Sequence, residues 1–130
     1  MLDLLFAAFQ GGNPGGDPVS SPAEIVEIAV SNVEVEGEMC ILPAPPLIHG
    51  NASFSSWISW LTGGKVCLIP GRSFDPVACC AMLGTEGVSV VSIVGDAMGL
   101  PLIEALEQNP GRWTLADCNV IASAGAVISA

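Results

Sequence analysis

The sequence predicts an α/β fold with a mostly parallel sheet and helices on its faces. Short apolar runs typical of buried strands alternate with segments whose apolar residues recur at helical spacing, in the order βαβαβαβ. Each strand-like run also ends at Pro, Gly or Ser, where the chain has to turn toward the next helix. At 130 residues the chain has room for one such domain.

The first ten residues are predicted to form an amphipathic helix, because Leu2, Leu5, Phe6 and Phe9 recur at helical spacing. Residues 11–21 follow as a loop built from Gly, Pro, Asn and Asp, which are residue types that break regular structure. This loop separates the first helix from the next one.

A second helix is expected to begin where the loop ends. Ser21 is a suitable N-cap, Pro22 fits the first helical position, and Glu24 places an acid in the first turn. The helix is expected to run to about Glu36, with its acids on a solvated face. Three apolar residues are expected to face inward, namely Ile25, Ile28 and Ala29.

The strands begin at residue 39. Residues 39–42 form a short apolar run that stops at proline, which predicts a buried strand followed by a stiff loop. Residues 65–69 have the same character and end at Pro-Gly. The helix between them, residues 54–61, is predicted from apolar residues at helical spacing, namely Trp57, Ile58 and Leu61.

The alternation continues to the end of the chain. Asp75 is a suitable cap for a helix over residues 76–84, and the β-branched run 88–94 predicts a third strand. A helix over residues 97–108 and a strand over residues 119–123 complete the pattern. The crossovers between parallel strands are expected to be right-handed.

In a sheet of this kind, ligands bind beyond the carboxyl ends of the strands. Those ends are expected at residues 43–50, 70–73, 95–96 and 123–126. The functional site is therefore expected at this edge of the sheet.

Three features at this edge are candidates for function. His49 is the one histidine, and the glycine after it allows close approach of a ligand, although a lone histidine is more often structural. Asp96 follows Gly95 at another strand end, and its structural alternative is to cap the following helix. Residues 123–126 form a small-residue turn whose exposed backbone suits a flat ring or a thioester.

The composition argues against several classes of function. Thirteen acids against three basic residues give a net charge of −10, whereas nucleic-acid binding needs clustered Lys and Arg. Charged residues make up 12% of the chain, well below the roughly 25% of soluble domains, so part of the surface is expected to contact other protein. Five cysteines without a Cys-x-x-Cys pair, and a single histidine, predict neither a disulfide framework nor a metal site.

The apolar segments have neither the length of a transmembrane helix nor the flanks of a secretory signal. The chain is therefore expected in the cytoplasm, with reduced cysteines. For the same reason, the Asn-x-Ser sequon that begins at Asn51 carries little weight.

Residues 42–50, Leu-Pro-Ala-Pro-Pro-Leu-Ile-His-Gly, resemble the Pro-Leu-x-His-Gly segment of AMP-forming acyl-CoA synthetases. The elements that follow are similar to that family in their order: a helix ending at Gly63-Gly64, the strand 65–69 and the run Ser-Phe-Asp-Pro at 73–76. The resemblance thus spans three consecutive elements.

Residues 94–98, Val-Gly-Asp-Ala-Met, followed by Pro-Leu at 101–102, resemble a segment of a bacterial subgroup that activates fatty acids or steroid side chains. Residues 113–117 resemble the approach to the strand that in this family ends in Ser-Gly-Gly-Ala, and residues 3–9 resemble the helix after its phosphate loop. The chain, residues 1–130, is therefore identified as part of an AMP-binding (adenylation) domain.

Enzymes of this family join a carboxylate to ATP, forming an acyl-adenylate and pyrophosphate, and then pass the acyl group to CoA. The resemblance implies ATP, CoA and Mg²⁺ as cofactors of the parent enzyme and a fatty or steroid-derived carboxylic acid as its substrate. None of these cofactors is expected to bind tightly to this chain alone.

The resemblance also implies roles for particular residues. His49 is expected beside the substrate carboxylate, as a positioning or gating group. The residues expected to line or border the acyl pocket are Gly50, Phe54, Trp57, Gly95 and Asp96. The residues expected against the adenylate are Ser123, Ala124, Gly125 and Ala126, where Ala124 replaces the first glycine of the family's pair.

Several parts of the family's machinery are expected outside this sequence. The phosphate loop with its lysine should precede Met1, and the Thr-Glu motif that helps to hold magnesium should follow Ala130. The ribose-binding aspartate and the mobile C-terminal domain with its lysine also lie elsewhere. The chain is therefore expected to be an internal fragment, inactive alone, whose partner is the remainder of the synthetase.

Two alternatives remain open at this point. In the first alternative, the chain is a non-catalytic module that binds an acyl group or a nucleotide. In the second, it is an unrelated doubly wound domain. Ligand binding distinguishes these two, and self-association through uncovered apolar faces distinguishes the fragment from both.

Overall fold

The computed structural model describes residues 21–71 and 73–129, and over these ranges helices and strands alternate. The predicted helix of the first ten residues lies outside the described residues, as does most of the 11–21 loop. The elements are α1 (Pro22–Glu36), β1 (Cys40–Pro43), α2 (Gly50–Leu61), β2 (Lys65–Val66), α3 (Pro76–Thr85), β3 (Val90–Ile93), α4 (Gly95–Gln108) and β4 (Val120–Ser123).

The four strands form one parallel sheet in the order β2-β1-β3-β4, which confirms the predicted α/β class. The chain steps outward from β1 to β2, returns past β1 to β3, and continues outward to β4. The direction of winding therefore reverses between β1 and β3. In parallel sheets, ligands typically bind at such a reversal, beyond the carboxyl ends of the strands.

Alternate residues of the central strands face two different helical layers. Leu42 of β1 and Val91 of β3 point into the core that the sheet forms with α3 and α4. On the opposite face, Ser92 is fully buried and bonds to α2. Crossovers of one hand that run in opposite directions place their helices on opposite faces of a sheet, which fits this arrangement. The buried core residues contributed by α3 and α4 are Cys79, Cys80, Leu83, Leu102 and Ala105.

Helix α2 turns small side chains toward the sheet. Its buried residues are Ala52, Ser55, Ser56 and Ser59. The Ser59 hydroxyl donates to the carbonyl oxygen of Lys65 at 2.7 Å, so this polar group remains paired inside the protein. The tryptophans lie on the outer side: Trp57 and Trp60 are 55% and 48% exposed and meet edge to face. The large apolar side chains from which this helix is predicted therefore do not form its buried face.

Two predicted helix caps are confirmed. The Ser21 hydroxyl accepts the backbone N–H of Glu24 at 3.2 Å, at the start of α1. The Asp75 carboxylate accepts the backbone N–H groups of Val77 and Ala78 at 2.9 and 3.1 Å, at the start of α3. Each cap satisfies donors that a helix leaves unpaired in its first turn.

Several predicted boundaries are wrong by a few residues. Helix α2 begins at Gly50 instead of residue 54, because its first turn is built from small polar residues that lack apolar spacing. Strand β2 ends at Val66 instead of residue 69, and β3 covers Val90–Ile93 instead of 88–94. Helix α4 begins at Gly95, two residues before the predicted start. Pairing with neighbouring strands, which local sequence does not encode, sets the strand limits.

Helix α1 packs less deeply than predicted. Ile25, Ile28 and Ala29 are half-buried, and none of the helix is fully buried. The helix rests against the end of α2 at Gly63, where an added Cβ atom would lie 2.7 Å from the carbonyl oxygen of Ala29. The expected inward face therefore contacts a neighbouring helix at the periphery.

We expect Asp75→Ala to lower the free energy of unfolding by about 1 kcal/mol, because the first turn of α3 loses its cap. Urea denaturation measures this change. Asp117→Ala is the matched control, since Asp117 is exposed and lies in the connection between α4 and β4; it should change stability by less than about 0.5 kcal/mol. Equal effects of the two substitutions would contradict the capping role.

Candidate functional site

The carboxyl ends of β1, β3 and β4 meet at one edge of the sheet, as predicted for parallel strands. The loop after β1 leads through His49 into α2, and Gly95 follows β3 almost directly. The small-residue turn begins at the end of β4 with Ser123. The reversal of winding between β1 and β3 lies at the centre of this edge.

Asn51, in the first turn of α2, joins the central elements of this edge. Its side-chain nitrogen donates to the carbonyl oxygen of Ile93 at 2.7 Å and lies 3.5 Å from that of Ala124. Its side-chain oxygen accepts the hydroxyl of Ser92 at 2.8 Å. One amide group thus links α2, the end of β3 and the turn after β4. No local sequence signal predicts this role, since Asn51 stands out in the sequence only as the start of a glycosylation sequon.

Gly95 brings two of the predicted segments into direct contact. Its φ angle is +49°, and an added Cβ atom would lie 2.5 Å from the carbonyl oxygen of Val127 and 2.8 Å from the Cβ atom of Ala126. Its backbone N–H also donates to the Ser123 hydroxyl at 3.0 Å. Only glycine fits this position, since any side chain would collide with the turn after β4.

Asp96 holds the segment that follows this turn. Its backbone N–H donates to the carbonyl oxygen of Val127 at 3.2 Å, and its carboxylate accepts the backbone N–H and the hydroxyl of Ser129 at 3.0 and 2.7 Å. These hydrogen bonds, the hydroxyl one most of all, lower the pKa of Asp96 from its ordinary value. The predicted capping alternative is wrong, because the N-cap of α4 is Val94 and Asp96 lies inside the first turn.

His49 occupies the N-cap position of α2, with its side chain exposed and without a capping hydrogen bond from the imidazole. Its backbone N–H donates to the carbonyl oxygen of Pro46 at 2.9 Å, and its own carbonyl oxygen accepts the backbone N–H of Ser53 at 3.0 Å. The backbone of the loop is therefore fixed while the imidazole faces outward. The adjacent Gly50 is also exposed, and an added Cβ atom there would lie 3.3 Å from the ring of Phe54.

The structure thus brings the predicted residues together in two groups. Gly95 and Asp96 contact the turn and the segment after β4 directly, whereas His49 and Gly50 join this edge through Asn51, the next residue in the chain. The aromatic side chains expected at the acyl pocket, Phe54 and Trp57, are 45% and 55% exposed on α2.

A cleft of about 310 Å³ opens beside this edge, between the loops that follow β1 and β2. Its walls are mostly apolar, and among the described residues they include Pro43, Leu47, Leu68, Ile69 and Phe74. A larger cleft of about 740 Å³ lies between α1 and α2, where three glutamates and Met39, which precedes β1, contribute to its lining. The smaller cleft is the relevant one, because ligands of parallel sheets bind at the carboxyl ends of the strands.

Within residues 21–71 and 73–129, no three His, Cys, Asp or Glu side chains are grouped so that they could hold a metal ion. Within the same part of the chain, none of the helices has the length and apolar character needed to cross a membrane.

The fold and the site define a doubly wound α/β segment whose small and polar residues gather where the winding reverses. Sequence comparison supplies the family. The chain is 33% identical over 98% of its length to the medium-chain acyl-CoA ligase Mig of Mycobacterium avium, of which it covers 22%. It is 37% identical over 67% of its length to the 3-oxocholest-4-en-26-oate–CoA ligase of Rhodococcus rhodochrous, of which it covers 16%.

A medium/long-chain-fatty-acid–CoA/3-oxocholest-4-en-26-oate–CoA ligase of Mycolicibacterium smegmatis is 28% identical over 88% of the chain, which covers 20% of that protein. No family model matches the chain. The chain matches one segment of these acyl-CoA ligases, and it spans about a fifth of the length of the curated relatives that it matches. The resemblance to AMP-forming ligases is thereby confirmed.

We expect Asn51→Ala to lower the free energy of unfolding by about 1–3 kcal/mol, because the buried Ser92 hydroxyl and the Ile93 carbonyl oxygen lose their partner. The matched control is Asn119→Ala, which removes an exposed side-chain bond to the Asp117 carbonyl oxygen and should cost less than about 0.5 kcal/mol. Urea denaturation of both variants measures the difference.

A double-mutant cycle tests the pairing itself. If Asn51 and Ser92 act through one hydrogen bond, the double variant with Asn51→Ala and Ser92→Ala should be more stable than the sum of the two single losses predicts. Strictly additive losses would contradict the pairing.

We expect Ser129→Ala to raise the pKa of Asp96 part of the way to its ordinary value, because the hydroxyl hydrogen bond is lost and the backbone one remains. A depressed pKa in the folded state means that this contact stabilises the fold above the ordinary pKa of aspartate and is lost as the pH falls through the folded value. NMR titration of the Asp96 carboxyl carbon measures the pKa in the unsubstituted chain and in the variant. An unchanged titration in the variant would show that the Ser129 hydroxyl does not bond Asp96, and Ser31→Ala in α1 is the control.

Proposed function

We propose that this chain carries part of the acyl- and adenylate-binding edge of an AMP-forming acyl-CoA ligase. The parent enzyme converts a carboxylate and ATP into an acyl-adenylate and pyrophosphate, and then transfers the acyl group to CoA with release of AMP. The observation that carries this proposal is the match of nearly the whole chain to a medium-chain acyl-CoA ligase at 33% identity.

In this proposal, His49 positions the substrate carboxylate beyond the carboxyl ends of β1 and β3. The exposed imidazole supports such a role, because a substrate can reach the ring while hydrogen bonds hold the backbone that carries it. Gly50, Phe54, Trp57, Gly95 and Asp96 border the acyl group. The turn at Ser123, Ala124, Gly125 and Ala126 lies against the adenylate, where Gly125 has a φ angle of +92° and so presents backbone without a side chain.

The charges of the described residues support the view that this segment does not act alone. Adenylation requires cations or backbone donors around a phosphoryl centre. Lys65 begins β2 and lies 3.9 Å from Glu38, and Arg112 lies over the ring of Trp113 in the connection that precedes β4. Among residues 21–71 and 73–129, these two cations therefore lie near the amino ends of the strands, opposite the proposed site. ATP, CoA and Mg²⁺ are accordingly assigned to the parent enzyme, with the phosphate contacts supplied by the remainder of its chain.

The proposed substrate class is a fatty or steroid-derived carboxylic acid. The relatives are named for medium-chain and long-chain fatty acids and for 3-oxocholest-4-en-26-oate, all of which combine a carboxylate with a large apolar body. The apolar cleft between the loops after β1 and β2, whose lining ends at Leu47 two residues before His49, offers walls of matching chemistry. A cytoplasmic location belongs to the same proposal, because ATP and CoA are available there.

The test exchanges segments between related proteins. The part of the Mycobacterium avium ligase that matches this chain is replaced by residues 1–130, and pyrophosphate–ATP exchange is measured with octanoate. We expect exchange from the chimera and none from the 130-residue chain alone. A chimera that folds, retains octanoate binding and does not catalyse exchange would support a non-catalytic binding module instead.

Within the active chimera, we expect His49→Ala to lower kcat/KM by about tenfold to a hundredfold, because the carboxylate loses its positioning group. Gln108→Ala at the end of α4 is the control and should leave the kinetics unchanged. Circular dichroism verifies that both variants fold. Identical kinetics of the His49→Ala chimera and the unsubstituted chimera would remove His49 from the proposed site.

A further inference from the structure

Two cysteines of neighbouring strands place their sulfur atoms in contact. Cys40 begins β1, and Cys67 directly follows β2, where its backbone N–H donates to Ile41 at 2.9 Å. The parallel register places both side chains on the same face of the sheet, and their Sγ atoms are 3.6 Å apart. A covalent disulfide has a sulfur–sulfur distance of about 2.05 Å, so the two atoms need to approach by roughly 1.5 Å.

The two thiols differ in access to solvent. Cys40 is 1% exposed, whereas Cys67 is half-buried. Burial, together with the neighbouring Cys67 thiol, raises the pKa of Cys40 to about 12, so Cys40 is protonated at neutral pH and reacts slowly with oxidants from solvent. An oxidant therefore meets Cys67 first, with Cys40 directly behind it as the second sulfur.

We propose that Cys40 and Cys67 form a site of reversible oxidation, at which a soluble disulfide converts the two thiols into one intramolecular disulfide. The Cys67 thiolate attacks the soluble disulfide, forming a mixed disulfide and releasing one thiolate. Cys40 then loses its proton to solvent and attacks the Cys67 sulfur, which releases the second thiolate. Two protein thiols are thus oxidised and one soluble disulfide is reduced to two thiols. This inference rests on strand geometry and is independent of the proposed ligase function.

The position of the pair gives the oxidation a structural consequence. The residues after Cys67 form one wall of the 310 Å³ cleft through Leu68 and Ile69, and the loop after β1 forms the opposite wall. Cys40 lies at the opposite end of β1 from that loop, so a disulfide would tether only the wall at Leu68 and Ile69 to the start of β1. Oxidation would therefore restrain one wall of the cleft without contacting the groups at the edge around Gly95 and Asp96.

Trypsin provides a direct readout, because the chain has three basic residues. Cleavage after Lys65, Arg72 and Arg112 gives peptides 1–65, 66–72, 73–112 and 113–130. Cys40 and Cys67 lie in the first and second peptides, and the remaining cysteines lie in the third and fourth. Each peptide to which Cys67 could be joined, namely 1–65, 73–112 or 113–130, therefore gives its own mass, and only the first contains Cys40.

The experiment treats the folded 130-residue chain with glutathione disulfide, blocks free thiols in acid, and digests without reductant. We expect peptides 1–65 and 66–72 to appear joined, with a mass lower by two hydrogen atoms than their sum. Cys40→Ser should instead trap Cys67 as a stable glutathione adduct. Cys118→Ser, which removes the other half-buried thiol, is the matched control and should still give the joined peptides.

Three outcomes would overturn the proposal. Cys67 of the unsubstituted chain could accumulate as a glutathione adduct, it could join peptide 73–112 or 113–130, or it could remain unmodified while the same chain reacts in urea. The same reaction in urea serves as a comparison. An unfolded chain should give a mixture of linkages, so a preference for the disulfide between Cys40 and Cys67 in the folded sample alone would come from the fold.

Discussion

The amide group of Asn51 is the interaction on which this edge of the structure depends. It reaches from the first turn of α2 to the end of β3 and to the turn after β4, and it pairs with the fully buried Ser92 hydroxyl. Helix α2 lies on one face of the sheet, and α3 and α4 lie on the other. Hydrogen bonds between the strands therefore do not by themselves fix the loop before α2 against the ends of β3 and β4. The asparagine provides this connection and thereby fixes the start of α2, where His49 is the N-cap, against the strand ends.

Beyond this edge, the sheet is covered unevenly. Parallel strands are usually buried on both faces, yet Val120 and Ile121 of β4 are 48% and 65% exposed, and Val127 in the segment that follows is 80% exposed. The described cations also lie away from the proposed site. Both observations fit the proposal that the remainder of a ligase covers the β4 side and supplies the charge for phosphoryl chemistry. The alignment, which spans about a fifth of each relative, points the same way.

Sequence analysis predicted the alternating elements well, because strand runs, helix caps and glycine–proline turns are local signals. Ser21 and Asp75 were identified as caps and do cap their helices. Asn51 was missed, because its partners are 41 or more residues away and no local pattern distinguishes it from any other helix-start asparagine. Asp96 was placed at the correct strand end, but its bonds to Ser129 depend on how the chain returns after β4. Side-chain partners across the sheet are therefore the part that the sequence alone did not provide.

Under the proposed function, this chain is one segment of an adenylate-forming ligase. The DNA on both sides of its reading frame, translated in all frames, tests this claim most directly. The account predicts a Ser/Thr/Gly-rich loop ending in lysine encoded upstream of Met1 and a Thr-Glu motif encoded downstream of Ala130. Flanks that encode neither motif, with a promoter before Met1 and a stop codon after Ala130, would contradict it and favour an independent binding module.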